Sequence, residues 1–208
     1  MENNIDTQVE KKPEMQASVP VEQPKWKKHA ESAWDLIKFA AIALAIVIPI
    51  RMFIAQPFVV SGDSMFPNFH DGQYLIVDEI SYILKGPHRG DGVIFKSPND
   101  TSRYSIKRII GMPNEKINLK DGVVTIINKE NPEGFVLNEP YINEKFNATY
   151  NYSTGNEEYF VMGDNRNRSS DSRSWGVLPR KFMTGRAFLR LLPIADAKYL
   201  PGYYKELK

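Results

Sequence analysis

The stretch YSIKRIIGMPNEKINLKDGVVTIIN, residues 104–128, decides the fold. It holds three runs rich in β-branched residues, YSIKRIIG, EKINL and GVVTIIN, cut by Met112-Pro113-Asn114 and by Asp121-Gly122. Short runs of this kind, bounded by turn residues, read as strands. The same pattern extends outward in both directions, through YLIVDEI (74–80) and GVIFKS (92–97) upstream and EYFVMG (158–163) and RAFLRLL (186–192) downstream. No amphipathic helical stretch of about 12 residues interrupts them. Strands at roughly ten-residue spacing predict a mainly β domain over 56–208, a barrel or sandwich. The polar stretch 128–158 predicts a long surface excursion between strands.

Ahead of this domain the chemistry changes twice. Residues 1–33 are polar, with Pro13, Pro20 and Pro24, a composition that predicts a disordered tail because it cannot bury enough apolar surface to offset ordering entropy. Then comes an apolar segment, 34–55. Its strictly uncharged core, Phe39 to Ile50, is only 12 residues, which is the length of a signal-peptide core. Leu36 to Ile54 is longer, 19 residues, and would cover roughly 28 Å as a helix. Its charges, Lys38 and Arg51, stand near the ends, where long side chains reach the interface. Ala55 has Phe53 two places before it rather than a small residue, so no A-x-A cleavage site follows. The expectation is a single transmembrane anchor in a cell membrane. Lys25, Lys27 and Lys28 before it keep the tail cytoplasmic and the β domain outside.

Composition removes several classes of function. Net charge is +2 over 208 residues, with no basic cluster or motif pointing to nucleic acid. There is no cysteine, which excludes thiol chemistry and disulfides. His29, His70 and His88 lack the short spacings of metal sites, so no metal and no cofactor are expected. Hydrophobic residues at 42% and charged residues at 25% are ordinary for a globular domain.

Three polar segments stand out from the strand pattern. They are Ser61-Gly62-Asp63-Ser64-Met65-Phe66-Pro67 just after the anchor, Lys107-Arg108 inside the strand run 104–111, and Gly163-Asp164-Asn165-Arg166-Asn167-Arg168-Ser169-Ser170-Asp171-Ser172-Arg173. Singly they are ordinary turn and surface residues. With Arg89-Gly90-Asp91 between the first two, their order and spacing resemble the bacterial type I signal peptidases of the compact Gram-positive type, from the anchor through nearly the whole exported domain.

That resemblance implies a membrane-bound serine endopeptidase that removes signal peptides from exported preproteins after an Ala-x-Ala-type site. Ser64 would be the nucleophile and Lys107 the general base. A serine hydroxyl attacks only when a neighbour takes its proton, and lysine can do so only when neutral, which burial favours. Strand alternation puts Lys107 and Ile109 on one face and Ile106, Arg108 and Ile110 on the other. The resemblance further implies that Ser169 orients the Lys107 amine, that Asp171 and Arg173 support the site as an ion pair, and that Arg108 is structural. Phe58, Val60, Phe69 and Ile106 would line shallow pockets for small substrate side chains. The oxyanion would sit on the Ser64 N–H, since Gly62 stands where some members carry a serine. The partners implied are signal peptides and the lipid bilayer.

Asn68 and Phe69 replace the family's usual Thr-Leu, and Arg168 replaces its usual Asn; these put pocket shape and fine positioning in question. Two rivals are a self-cleaving repressor of the SOS-response type, which would carry a DNA-binding head and no anchor, and a tethered β domain without catalysis. His70 is the alternative base.

Overall fold

A computed structural model describes residues 25–49 and 56–204, and within the first segment the side chains of 34–48. The chain divides into two units, Met1–Ala45 and Ile46–Lys208. Helix α1 runs Lys25–Pro49, so it starts ahead of the expected boundary at residue 34. The rest of the expected tail, 1–24, lies outside the described residues. Residues 50–55, beyond Pro49, lie outside those described. Among the described residues no helix is long and apolar enough to cross a membrane. The apolar stretch 36–54 continues past α1 into residues outside those described.

Among the described residues the β domain has twelve strands, all paired antiparallel. They are β1 Gln56–Val59, β2 Tyr74–Asp78, β3 Gly92–Ser97, β4 Asp100–Gly111, β5 Lys116–Lys120, β6 Val123–Ile127, β7 Phe135–Val136, β8 Tyr150–Ser153, β9 Glu158–Met162, β10 Leu178–Pro179, β11 Met183–Leu192 and β12 Lys198–Tyr199. Short helices α2 (Ile80–Leu84) and α3 (Ser172–Trp175) sit between them.

The larger sheet has the order β1-β2-β11-β3-β4-β9-β10, with β12 added to β11; the smaller is β7-β6-β5-β8. The mainly β expectation holds, but the barrel does not close. Among the described residues β1 and β10 remain separate edges. β10 is two residues long and ends in Pro179, which has no N–H to extend a ladder.

The excursion expected over 128–158 is instead half of the smaller sheet. β7 pairs β6, and β8 pairs β5 from Lys116↔Ser153 to Leu119↔Tyr150. Its polar sequence misleads because these strands bury one face only, as the alternating burial of β5 and β6 shows for their partners. Asp121 (φ 50°) and Gly122 (φ 75°) close the β5–β6 hairpin, the left-handed pair that a tight right-twisted hairpin needs.

Packing falls into three clusters. Val60, Met65, Phe69, Leu75, Val77, Ile94, Ile106 and Ala187 fill one face of the larger sheet. Tyr82, Val93, Phe95, Ile109, Tyr159, Val161, Leu178 and Met183 fill the other. Ile110, Phe160 and Met162 meet Ile117, Leu119, Val124 and Ile126 of the smaller sheet in the third. Polar contacts rivet that junction: Arg89 reaches Glu115 at 2.6 Å and also the Ile110 carbonyl, and Glu115 accepts from the Met112 N–H at 2.8 Å.

Candidate active site

β4 delivers the lysine. Opposite Val93 of β3 in register, Lys107 is buried (6% exposed) yet ends on a polar atom: its Nζ donates to Ser64 Oγ at 2.6 Å. Burial pushes its pKa down from 10.5 to about 8; Asp171 and Asp164 pull it partly back and Arg173 opposes them. A serine hydroxyl thus touches an amine that is appreciably neutral in mildly alkaline water, the arrangement proton abstraction needs.

Ser64 stands in the turn between β1 and β2, which the Phe69 and Met65 side chains anchor in the core with no exposed surface. The 163–168 segment fixes that turn. The Asn165 N–H donates to the Ser64 carbonyl at 3.1 Å, and its side chain donates to the Asp63 carbonyl at 3.1 Å. Gly163 passes so close that a Cβ there would lie 2.5 Å from the Ser64 carbonyl oxygen and 2.3 Å from Ser169 Oγ. Gly62 holds φ 81° and donates to Asp71 at 2.7 Å. The Ser64 N–H donates to no protein acceptor among the described residues.

Behind the amine, Asp171 accepts from the Gly163 N–H at 2.9 Å and from Arg173 Nε and a terminal nitrogen at 2.8 and 2.7 Å. Burial works against its charge, but the Arg173 hydrogen bonds and charge, with the Gly163 N–H and the nearby Ser169 hydroxyl, outweigh it and hold the carboxyl below its usual range. Arg173 also donates to the Arg166 carbonyl at 2.8 Å and lies over the Phe146 ring. Ser169 Oγ is buried and hydrogen-bonds to nothing in this structure, Lys107 included.

Arg108 turns to the opposite face from Lys107, as alternation requires. Fully buried, it grips Asp164 through two bonds of 2.7 and 2.5 Å and donates to the carbonyls of Gly90 and Gly202 at 2.7 and 2.6 Å. Its guanidinium lies 4.2 Å from the Tyr141 ring centroid. Burial disfavours its charge, but Asp164 more than compensates.

Phe58, Val60, Phe69 and Ile106 fall in a single cluster. Phe58 keeps some exposed surface; Phe69 has none and lies under the Arg190 guanidinium. His70, the alternative base, is exposed, sits edge-on to Phe66 and makes no hydrogen bond to Ser64.

Sequence reasoning left Asn68, Gly163, Asp164, Asn165 and Tyr204 without roles. Asn68 Nδ2 donates to Asp164 and to the Tyr141 carbonyl, each at 2.8 Å, while its Oδ1 accepts from the Tyr204 hydroxyl at 2.7 Å. The polar box 163–173 was the available signal for three of them. Nothing local marks Tyr204, which acts across 136 positions.

Residues 33–192 match the model of the family described as signal peptidase, peptidase S26. A probable signal peptidase I-2 of Synechocystis sp. is 34% identical over 174 residues, covering 79% of this chain and 76% of the relative. Signal peptidase I of Bacillus amyloliquefaciens is 31% identical over 186 residues, covering 86% and 95%. A crystal structure of a signal peptidase I from Enterococcus faecalis, 29% identical, covers 49% of this chain and 97% of its own, with a TM-score of 0.43.

Proposed function

The chain belongs to the signal peptidase family, peptidase S26, a family of serine peptidases that remove signal peptides, and we propose that it cuts after Ala-x-Ala-type sites with Ser64 and Lys107 as a catalytic dyad. The 2.6 Å contact between Lys107 Nζ and Ser64 Oγ in a buried setting carries this reading. Neutral Lys107 takes the Ser64 proton as Oγ attacks the scissile carbonyl carbon. The developing oxyanion rests on the Ser64 N–H, which donates to no protein acceptor among the described residues. Lys107 returns the proton to the leaving amine, giving an acyl-enzyme that water hydrolyses with Lys107 again as base. Asp171 and Arg173 hold the Gly163 segment beside the amine, and the Ser169 hydroxyl, without a partner in this structure, is the group free to orient it.

The substrate segment reads as an added strand. Among the described residues β1 is a sheet edge, and β4 has no partner on its β9 side before Arg108, so both offer free backbone groups. Phe58, Val60 and Ile106 would line the pockets for small side chains, with Phe69 supporting them from beneath. The segment 34–55 is read as the single membrane anchor, tail inside and catalytic domain outside. Leu36, Phe39 and Ile42 of α1 are exposed, and Lys38 pairs with Asp35 at 3.2 Å.

Cleavage of an Ala-x-Ala peptide by the detergent-solubilised chain tests the dyad. Ser64→Ala and Lys107→Ala each abolish turnover with thermal unfolding kept, and the double variant is no worse than either single one, because the pair acts as a unit. Substantial activity in Lys107→Ala refutes the assignment.

A further inference from the structure

A second cleft, of about 380 Å³, lies away from Ser64 and is bordered by Gln56, Glu79, Tyr82, Lys96, Arg180 and Lys181. Register shows which end of the larger sheet it occupies. Gln56 opens β1 opposite Val77, Asp78 then leads into α2, Arg186 near the start of β11 faces Asp78, and Met183 faces Phe95, next to Lys96. All of these cluster where the chain arrives from residue 55. Gln56 stands two positions after Ile54, a reach of at most about 7 Å.

The three cations are held in an unusual way. Lys96 lies over Tyr104 at 5.8 Å, Arg180 over Tyr82 at 5.5 Å and Lys181 over Phe182 at 5.2 Å. None forms an ion pair among the described residues. Arg180 spends one terminal nitrogen on the Tyr82 carbonyl at 2.9 Å. The carboxylate in the cleft, Glu79, has a buried oxygen without a partner. Beside it Ile83 and Leu84 of α2 stand 72% and 75% exposed, an apolar tip next to a basic cleft. Cations fixed on aromatic faces, three against the single Glu79 carboxylate and in no ion pair among the described residues, suit an anion, and apolar residues beside them suit an acyl-chain boundary.

We propose that this cleft binds the phosphate headgroup of an anionic phospholipid, with Lys96, Arg180 and Lys181 as its ligands and Ile83 and Leu84 against the lipid. The proposal rests on reading 34–55 as the membrane anchor. It assigns the cleft a seat for the catalytic domain on the bilayer, one that Ser64 and Lys107 do not line.

The test is native mass spectrometry of the full chain in micelles offered phosphatidylglycerol and phosphatidylcholine together. Wild type retains phosphatidylglycerol in preference, and Lys96→Gln/Lys181→Gln loses that retention about thirty-fold, two surface cations' worth. Equal retention by the double variant overturns the site. Inorganic phosphate that binds as tightly as phosphatidylglycerol and displaces it overturns the lipid as the ligand. Peptide cleavage in lipid-free micelles is unchanged in the double variant, which certifies its fold. Absence of cleavage in wild type would instead strike the peptidase reading and leave the lipid result standing.

Discussion

Lys107 sits where its charged form is disfavoured, and both rate and stability report on it. Its pKa is about 8 in the folded chain against 10.5 ordinarily. Below pH 8 both folded and unfolded chains carry the proton, and the native state bears the whole burial penalty, about 3 kcal/mol. Between pH 8 and 10.5 the unfolded chain binds more protons at this group, so its contribution to stability rises with pH. Lys107→Met is therefore more stable than wild type at pH 7 by roughly 2 kcal/mol once the lost hydrogen bond is deducted. The gain fades toward about pH 10.5; urea midpoints at pH 7 and 10 that differ equally from wild type would contradict it. In parallel, kcat/KM rises with pH through an apparent pKa of about 8. Lys107→Arg is inactive throughout, because guanidinium stays charged. Gly163 makes a separate test. Gly163→Ala drives a methyl into Ser64's carbonyl oxygen and Ser169, so kcat falls about 100-fold or more while KM moves little. Peptide kinetics near wild type would show that the turn does not need this close passage.

At the scale of elements, the strands in 104–128 and the loop nature of Ser64's surroundings were legible, because β-branched runs cut by turn residues leave few other readings. Alternation along β4 correctly separated Lys107 from Arg108. The smaller sheet's outer strands were not legible: Phe135-Val136 is two residues long, and Tyr150 to Ser153 alternates aromatic and polar residues without an aliphatic run. The hub at Asn68 was hidden for a different reason, since its partners Tyr141, Asp164 and Tyr204 come from three distant segments. Asn68 departs from the family's threonine, and the structure supplies its use. As for α1, protease added outside intact spheroplasts digests the β domain and spares the residues before α1 if 34–55 is the anchor. A mature chain beginning near Gln56 would show a removed signal instead.

Across the whole molecule, the two sheets share a core but are pinned by charge, and Arg89 with Glu115 is the pair at that seam (side chains 15% and 6% exposed). Arg89→Met leaves the Glu115 carboxylate buried without its cation and costs about 3 kcal/mol. Arg89→Met/Glu115→Gln recovers part of that loss, because the amide carries no charge and its one oxygen still accepts from either the Met112 N–H or Asn128 Nδ2, which bond to different carboxylate oxygens of Glu115. Urea unfolding of the three proteins measures both numbers; an uncorrected loss in the double variant would mean that Arg89 matters through its packing on Phe135. Arg108 and Asn68 tie the nucleophile turn to residues 202–204, across 94 and 136 positions. A chain supplied from its N-terminus at about 5–20 residues per second therefore holds Ser64's turn unfinished for on the order of ten seconds. The nucleophile's turn is thus among the last parts of the domain to meet all its partners, however early Ser64 itself is made.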